Sequence, residues 1–395
     1  VLFRSKRDIG ALFPELEKDL KPYTAEATTG ILPFQEICRL IDGGRINAAV
    51  AVERAQVQPA SLDLRLGPKA WRVRASFLPG NATVASKIER LKMHEINLST
   101  PTVLEKGCVY IVELMEELKL PAGISGKANP KSTTGRLDIF TRLITDNGNE
   151  FEGVREGYRG KLYLEVVPRT FSILLQQGAR LNQIRFVRGN PPPSDAKLGK
   201  LDQSEPLVYL EADGPQAAVI KDGLWISVDL EGSADRGIVG YRAKHHAPLV
   251  DLGKIAHYDI LEFWEPITRT LSRGLVLNPD DFYILASREL IRVPPNYAAS
   301  MVPYDPSVGE FRIHYAGFFD PGFGYGENDI AGTRAVLEVR SHDVPFLIEH
   351  GQDVGRLIYD RLMGVPEKIY GVNIGSSYQR QGLALAKQFK PVAAA

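Results

Sequence analysis

The sequence predicts an all-β protein with a few short helices, built from two tandem copies of one β-rich unit. Short apolar runs alternate with turns rich in Gly, Pro, Asn and Asp, a pattern typical of a β-barrel or sandwich. A repeat is the second observation. Four pairs of matching residues are each separated by 173 positions: Pro121 and Pro294, Pro130 and Pro303, Glu165 and Glu338, and Gly178 and Gly351. One long offset favours a duplicated domain over a solenoid, whose repeat is far shorter.

Length and composition set the broad class. A chain of 395 residues is long enough for two ordinary domains, and its 48 basic and 48 acidic residues cancel, so we expect no nucleic-acid partner. The two cysteines, Cys38 and Cys108, lie far apart, which favours a reducing compartment and no disulfide framework. Apolar runs stay short of the roughly 18 residues of a membrane helix, and the first residues lack the core of a signal peptide. We expect a cytoplasmic protein with no membrane contact.

The chain divides at a proline-rich stretch. Residues 1–27 form a leader with helical spacing in its middle, and a first domain spans residues 28–188. Residues 189–206 contain three consecutive prolines and predict a stiff linker. A second domain spans residues 207–395.

Within the first domain, the apolar spacing of residues 33–42 predicts a helix that ends at Gly43. Alternation over residues 61–67 predicts a half-buried strand that ends at a turn. Further strands are expected within residues 107–125, 161–167 and 179–187.

The polar segment 131–137 combines small hydroxyl residues, one glycine and two cations, Lys131 and Arg136. Its backbone amides could form an anion-binding nest to which these cations add charge. A capped helix start with solvated cations explains the same residues equally well. The segment is not a P-loop, because the glycine spacing and the Gly-Lys-Ser/Thr ending are absent.

Glu338 lies in a run, residues 334–339, that reads as a buried strand with one carboxylate among apolar neighbours. Burial disfavours a charged carboxylate, so such a residue is either paired or used chemically. The two copies differ in complementary ways. The first carries the cations of segment 131–137, where the second has acids; the second carries the compact turn at residues 320–324, which the first lacks.

These motifs together resemble signatures of the dCTP deaminase branch of the dUTPase-like superfamily. The segments that carry the resemblance are residues 58–67, 131–137, 316–324 and 336–338, together with Tyr370 and residues 378–382 near the C-terminus. The resemblance covers about residues 30–395. It implies two tandem dUTPase-like distorted β-barrel domains and the hydrolytic deamination of dCTP to dUTP and ammonia.

The family's sites form between barrels, so the resemblance assigns a composite site. Glu338 would be the general acid and base, with Ser132 and Arg136 as the other catalytic residues. The nucleotide-binding residues would be Lys131, Ser132, Thr133, Arg136, Asp320, Val336, Leu337, Tyr370, Tyr378, Gln379 and Gln381. This chain departs from the family at two places: Lys131 replaces an arginine, and a tail lysine is missing near Ser377.

The same resemblance bears on cofactors and partners. We expect dCTP as substrate, Mg²⁺ bound only through the nucleotide phosphates, no protein-bound metal, and a homo-oligomer. Zinc-dependent deaminases use a His-x-Glu motif with Pro-Cys-x-x-Cys, and the two scattered cysteines of this chain cannot supply that pattern.

Three alternatives remain open at this stage. The chain could be a dUTP pyrophosphohydrolase, or a bifunctional enzyme that deaminates and then cleaves, with Asp320 holding the hydrolytic water. It could also be a non-catalytic nucleotide-binding scaffold.

The repeat gives Glu338 a counterpart in Glu165, which would face Asp305, Ser307 and Glu310. Those acids repel phosphates, so we expect one active site per chain.

Overall fold

The structure, a computed structural model, describes residues 27–211, 213–232, 237–302, 311–313, 317–325, 331–341, 343–370 and 382–391. Only the last residue of the predicted leader falls within these ranges. Tyr378, Gln379 and Gln381, and the acids predicted to face Glu165, lie outside them. The described chain is mostly β-strand with a few short helices, which confirms the predicted fold class.

The strands divide between the two copies. Those of the first are β1 (Gly30–Ile31), β2 (Ile46–Ala48), β3 (Leu62–Leu64), β4 (Leu66–Val73), β5 (Lys92–Asn97), β6 (Thr102–Leu104), β7 (Val109–Lys119), β8 (Ile124–Pro130), β9 (Ile139–Thr145), β10 (Gly153–Val154), β11 (Arg159–Pro168), β12 (Ile173–Leu175) and β13 (Asn182–Arg188). Those of the second are β14 (Val208–Leu210), β15 (Gly214–Gln216), β16 (Leu224–Ser227), β17 (Ile238–Ala243), β18 (Val250–Asp251), β19 (Trp264–Thr268), β20 (Gly274–Leu277), β21 (Tyr283–Ile291), β22 (Tyr297–Val302), β23 (Phe311–Ile313), β24 (Phe318–Phe319), β25 (Thr333–Ser341), β26 (Phe346–Glu349) and β27 (Asp353–Arg361).

The helices are short. They are α1 (Phe34–Asp42), α2 (Val84–Leu91), α3 (Ser132–Gly135), α4 (Asp195–Ser204) and α5 (Ile260–Phe263), with one 3₁₀ turn at Arg54–Gln56. Helix α1 begins after Pro33 and ends at Gly43, as the sequence predicts, and buries its apolar face. Helix α4 lies inside the stretch predicted as a linker, where Ser194 caps it by accepting a hydrogen bond from the backbone N–H of Lys197.

The repeat is visible in the strand pairing. In the first copy β11 pairs with β7 and β9, and in the second β25 pairs with β21 and β23 in the same antiparallel sense. The registers agree as well: Glu165 lies opposite Ile111, and Glu338 lies opposite Ile284. The two glutamates therefore occupy equivalent positions in equivalent sheets.

The strand predicted over residues 61–67 is more buried than its alternating pattern indicates. Ser61, Asp63 and Arg65 are each 5% exposed or less. Polar side chains reach this depth because each has a buried partner. Ser61 hydrogen-bonds Gln183, Asp63 pairs with Lys131, and Arg65 pairs with Glu116 at 2.7 Å. The prediction of a half-buried strand was therefore wrong for this segment.

The two copies interlock. Strand β18 of the second copy pairs in parallel with β12 of the first. Three aromatic rings of the second copy, Phe263, Trp264 and Phe389, pack around each other, and the first two pack edge-on against Phe171 of the first copy at centroid distances of 5.7 and 5.6 Å. This apolar contact continues the core of the first barrel into the second, so the relative position of the barrels is set by packing.

Candidate active site

Glu338 is buried at the junction of the two copies. It lies on β25 between Leu337 and Val339 and is 5% exposed. Burial raises the pKa of its carboxyl group to about 8, against a smaller opposing effect of Arg136 and with a small further increase from Asp138. A carboxyl group with this pKa is present in both protonation states near neutral pH, as a general acid and base requires.

Arg136 reaches Glu338 from the first copy. The polar segment 131–137 folds as the one-turn helix α3, with Lys131 at the N-cap position and Arg136 at the C-cap position, but Lys131 makes no side-chain capping hydrogen bond. Its cations are not solvated, however. Arg136 is 6% exposed, and its Nη1 atom donates to the carbonyl oxygen of Ala384 at 3.1 Å. The second copy thus holds the guanidinium in place beside its own glutamate.

Asp320 is held by the compact turn that only the second copy carries. Gly322 and Gly324 have φ angles of +92° and +76°, and a Cβ atom on Gly324 would lie 2.0 Å from the carbonyl oxygen of Ile291. Only glycine fits there. Arg185 of the first copy, 2% exposed, donates to the carbonyl oxygen of Phe319 at 2.9 Å and contacts Asp320 at 3.3 Å. Burial raises the pKa of Asp320, and Arg185 and Lys131 oppose that rise.

A group of cations surrounds Asp63 and Asp320; its members are Lys131, Arg180, Lys368 and Lys387. Lys131 pairs with Asp63, and Arg180 lies 3.9 Å from the same carboxylate. Burial lowers the pKa of Lys368 while Asp63 and Asp320 raise it. Burial also lowers the pKa of Lys387, and the positive charge of Lys131 lowers it further. Arg180 also pairs with Glu53 at 3.0 Å, so these four cations face three carboxylates and leave an excess of one positive charge, which suits an anionic ligand.

The remaining predicted residues are distributed around these groups. Ser132 and Thr133 are half-buried on α3. Val336 is half-buried and packs against the core of the first copy, whereas the side chain of Leu337 is fully buried in the core of the second. Tyr370 lies beside the turn that carries Asp320: its backbone N–H donates to Pro321, and its ring is 5.8 Å from that of Phe323.

Glu165, the counterpart of Glu338, has a different environment. It is fully buried, and Arg142 on the neighbouring strand β9 donates to its Oε1 atom through Nη2 at 2.6 Å and Nε at 3.0 Å. The guanidinium of Arg142 lies 3.6 Å from the centroid of the Phe151 ring, which holds it in position. The carboxylate of Glu165 is therefore neutralised by an arginine of its own copy.

Among the described residues, no group of three or more His, Cys, Asp or Glu side chains is arranged to hold a metal ion. In the same residues, no helix is long and apolar enough to cross a membrane.

The chain matches two family models, one after the other along the sequence. The model for the N-terminal domain of 2′-deoxycytidine 5′-triphosphate deaminase matches residues 28–190, and the model for the C-terminal domain matches residues 194–389. The chain belongs to the 2′-deoxycytidine 5′-triphosphate deaminase family. A solved member, from Agrobacterium tumefaciens, is 54% identical with a TM-score of 0.81, over 85% of this chain and 99% of that one.

Curated members of the family are more distant. A dUMP-forming dCTP deaminase from Methanosphaera stadtmanae is 26% identical over 198 residues, which span 49% of this chain and 94% of that protein. A dCTP deaminase from Halorubrum lacusprofundi is 26% identical over 188 residues, which span 46% and 86%. These comparisons confirm the resemblance that the sequence motifs indicate and the predicted assignment as an enzyme that deaminates dCTP.

Sequence reasoning did not single out several cations of this candidate site. Arg180, Arg185, Lys368 and Lys387 are single cations in otherwise unremarkable segments, and only the fold brings them to Asp63 and Asp320. The tail lysine missing near Ser377 was the one sequence signal that other cations could be needed there. The Nζ atom of Lys368 donates to the carbonyl oxygen of Val57 at 2.7 Å, and the charges of Lys131 and Asp63 both act on Lys387.

We predict that Lys387→Met raises KM for dCTP at least about tenfold and changes kcat less than about threefold, because we expect the lost charge to lie at the phosphates and away from the reacting base. Lys390→Met is the matched control, an exposed lysine three residues further along the chain, and should behave as the unmodified protein. Steady-state kinetics at one ionic strength measures both. Equal KM values for the two variants would remove Lys387 from the phosphate site.

Proposed function

We propose that this chain deaminates dCTP to dUTP and ammonia at one composite site, with Glu338 as both general base and general acid. The observation that carries the proposal is the burial of Glu338 against Arg136 at the junction of the copies, with a pKa raised to about 8. The family supports the reaction, and the geometry supports the residues.

The proton transfers follow from one carboxyl group. The ionised carboxylate of Glu338 takes a proton from a water molecule, whose oxygen attacks C4 of the cytosine ring. Glu338 then returns this proton to the ring nitrogen N3. The second proton of the water passes through Glu338 to the departing amine, so ammonia leaves and C4 becomes a carbonyl carbon. Because burial raises its pKa to about 8, Glu338 is basic enough to accept each proton and still acidic enough to pass it on near neutral pH.

The triphosphate would lie along the four cations Lys131, Arg180, Lys368 and Lys387. Asp63, Asp320 and Glu53 offset three of these charges, so the protein alone neutralises only part of a triphosphate. The residues fit a Mg²⁺ ion carried by the phosphates and not a protein-ligated one, because Asp63 and Asp320 already have cationic neighbours. Bound Mg²⁺ would supply the remaining charge neutralisation.

We further propose that the reaction stops at dUTP. Cleavage to dUMP would need a carboxylate free to hold a water molecule at the α-phosphate. Asp320 was the candidate for that task, but Arg185 contacts its carboxylate at 3.3 Å and the positive charge of Lys131 also acts on it. It is therefore poorly placed to activate water. The bifunctional alternative is supported by the names of several relatives, among them the dUMP-forming dCTP deaminases from Methanosphaera stadtmanae and Dictyoglomus thermophilum.

Incubation of the full chain with dCTP should give ammonia and dUTP in equal amounts, with no pyrophosphate. Ammonia assay and chromatographic separation of the nucleotides measure both products. Removing Mg²⁺ should weaken dCTP binding, and a zinc-selective chelator should have no effect. Formation of dUMP would establish the bifunctional alternative, and release of pyrophosphate from dUTP without deamination of dCTP would establish the hydrolase.

The two equivalent glutamates provide a matched pair of variants. Glu338→Gln removes the base and should lower kcat at least about 10²-fold. In Glu165→Gln, kcat should stay within about threefold of the unmodified chain, because the carboxylate of Glu165 is already in an ion pair with Arg142. In the unmodified chain kcat/KM should rise with pH through a midpoint of about 8, because the active form of Glu338 is the carboxylate. An active Glu338→Gln protein, or two bound dCTP molecules per chain, would contradict this assignment.

A homo-oligomer and a cytoplasmic location also remain proposals. The cysteines support a reducing compartment, since both are free thiols. The oligomer is supported by a surface of the second copy. The β6–β12 sheet of the first copy is extended by β18, a strand of the second copy. The equivalent β20–β26 sheet has only these two strands among the described residues, and Val276 and Leu347 on it are 51% and 54% exposed. An open apolar sheet of this kind suits contact with another copy of the chain.

We predict that Leu347→Glu lowers the oligomer mass measured by light scattering without changing the circular dichroism spectrum, because a charge at this sheet opposes its burial. Val219→Glu is the control, an apolar side chain that is 64% exposed elsewhere on the second copy. An unmodified chain that is already monomeric would refute the proposal.

A further inference from the structure

An ion pair joins the two copies two positions beyond the candidate catalytic pair, Arg136 and Glu338. Asp138 follows Arg136 by two positions, and Arg340 follows Glu338 by two positions on the same strand, so Glu338 and Arg340 lie on one face of β25. Asp138 is fully buried and Arg340 is 5% exposed. Atom Nη2 of Arg340 pairs with Oδ2 of Asp138, and Nε lies 3.4 Å from Oδ1. This is a two-point contact between the turn that carries Arg136 and the strand that carries Glu338.

The surroundings hold both members of this pair in place. Thr170 donates to Oδ2 of Asp138 at 2.5 Å and accepts from Nη2 of Arg340 at 2.9 Å. Arg340 also donates to the carbonyl oxygen of Asp280. The backbone of Asp138 has a φ of +54°, an unusual conformation for a residue other than glycine, and it persists because its N–H donates to Gly135 and its carbonyl accepts from Arg169.

The first copy's own glutamate has no such contact. By the 173-residue offset, Val167 stands where Arg340 does, and Phe311 stands where Asp138 does. The charged pair therefore accompanies Glu338 and is absent in sequence from Glu165. A role in stabilising the barrel alone does not explain this, since both barrels have the same strands and only one has the pair.

We propose that the Asp138–Arg340 ion pair is a positioning device, which locks the Arg136 turn of the first copy onto the Glu338 strand of the second. It holds the guanidinium and the carboxylate at a set separation by fixing the residues two positions beyond each. The negative charge of Asp138 also acts on Glu338, whose pKa it raises. The inference rests on the proposed roles of Glu338 and Arg136.

Other charged side chains lie near the Asp138–Arg340 pair, so a variant of this pair needs a control that changes the local charge without changing the pair. A cavity of about 230 Å³ opens beside Arg340, and the further charged or titratable side chains that line it are Lys106, Arg169, Lys244, His245, Asp280 and Asp281. Glu338 itself is influenced by Arg136 and Asp138. Lys106→Met is therefore a suitable control, because it removes a positive charge from the same cavity, and its exposed side chain lies outside the ion pair.

The test compares Asp138→Asn, Arg340→Met, Arg340→Lys and Lys106→Met in the full chain, with rates expressed per folded molecule from circular dichroism. We expect kcat to fall at least about tenfold in Arg340→Met with KM for dCTP within about threefold, because misplacement affects the chemical step more than phosphate binding. Arg340→Lys, which keeps the charge and loses the fork, should recover part of kcat. In Asp138→Asn the midpoint of the kcat/KM pH profile should move to lower pH, because the anion that raises the pKa of Glu338 is gone.

A positional role and a structural role give different results. If kcat per folded molecule and the pH midpoint match the unmodified chain in both Asp138→Asn and Arg340→Lys, the pair only stabilises the fold and the inference is wrong. A Lys106→Met protein with the same loss as Arg340→Met would show a general charge effect and would also overturn it. Should Arg340→Met not fold, Arg340→Lys and Asp138→Asn carry the test. An active Glu338→Gln protein would instead refute the proposed function.

Discussion

The site depends on the exclusion of water from Glu338. A single carboxylate lies on a strand whose neighbours are apolar, and the first barrel packs across it. Burial is the largest influence on its pKa and outweighs the attraction of Arg136. The interlocked barrels make this possible, because parallel pairing of β18 with β12 and the aromatic cluster around Phe171 and Trp264 leave little freedom between the copies.

Duplication followed by divergence explains why the two halves of the chain are unequal. The equivalent strands keep the same registers, so both glutamates are presented in the same way. Their environments differ at single residues. Arg142 neutralises Glu165 within its own sheet, whereas the neighbour of Glu338 is an arginine of the other copy. Glu165 is thus satisfied within its own sheet, whereas the cationic neighbour of Glu338 comes from the other copy, which agrees with the chemical role proposed for Glu338.

At the other end of the site, cations and buried carboxylates lie close together and partly neutralise one another. The cations around Asp63 and Asp320 come from widely separated segments of both copies, and their partial burial strengthens their interactions. When no anion is bound, the buried carboxylates offset the mutual repulsion of the cations. Arg185 has a similar double role, since it anchors the turn that carries Asp320 to the first barrel.

The sequence by itself determined the strand-rich class and the 173-residue repeat, and it singled out Glu338 and Arg136 as candidate site residues. These features are local: alternation, turn residues and a carboxylate in an apolar run are all readable within a few positions. Only the tertiary structure decided that residues 61–67 are buried, that Arg142 forms an ion pair with Glu165, and that Asp138 forms one with Arg340. Each of those outcomes depends on which distant side chain reaches a buried charge. Spacing along the chain cannot supply that information, because the contact is made between strands and between copies.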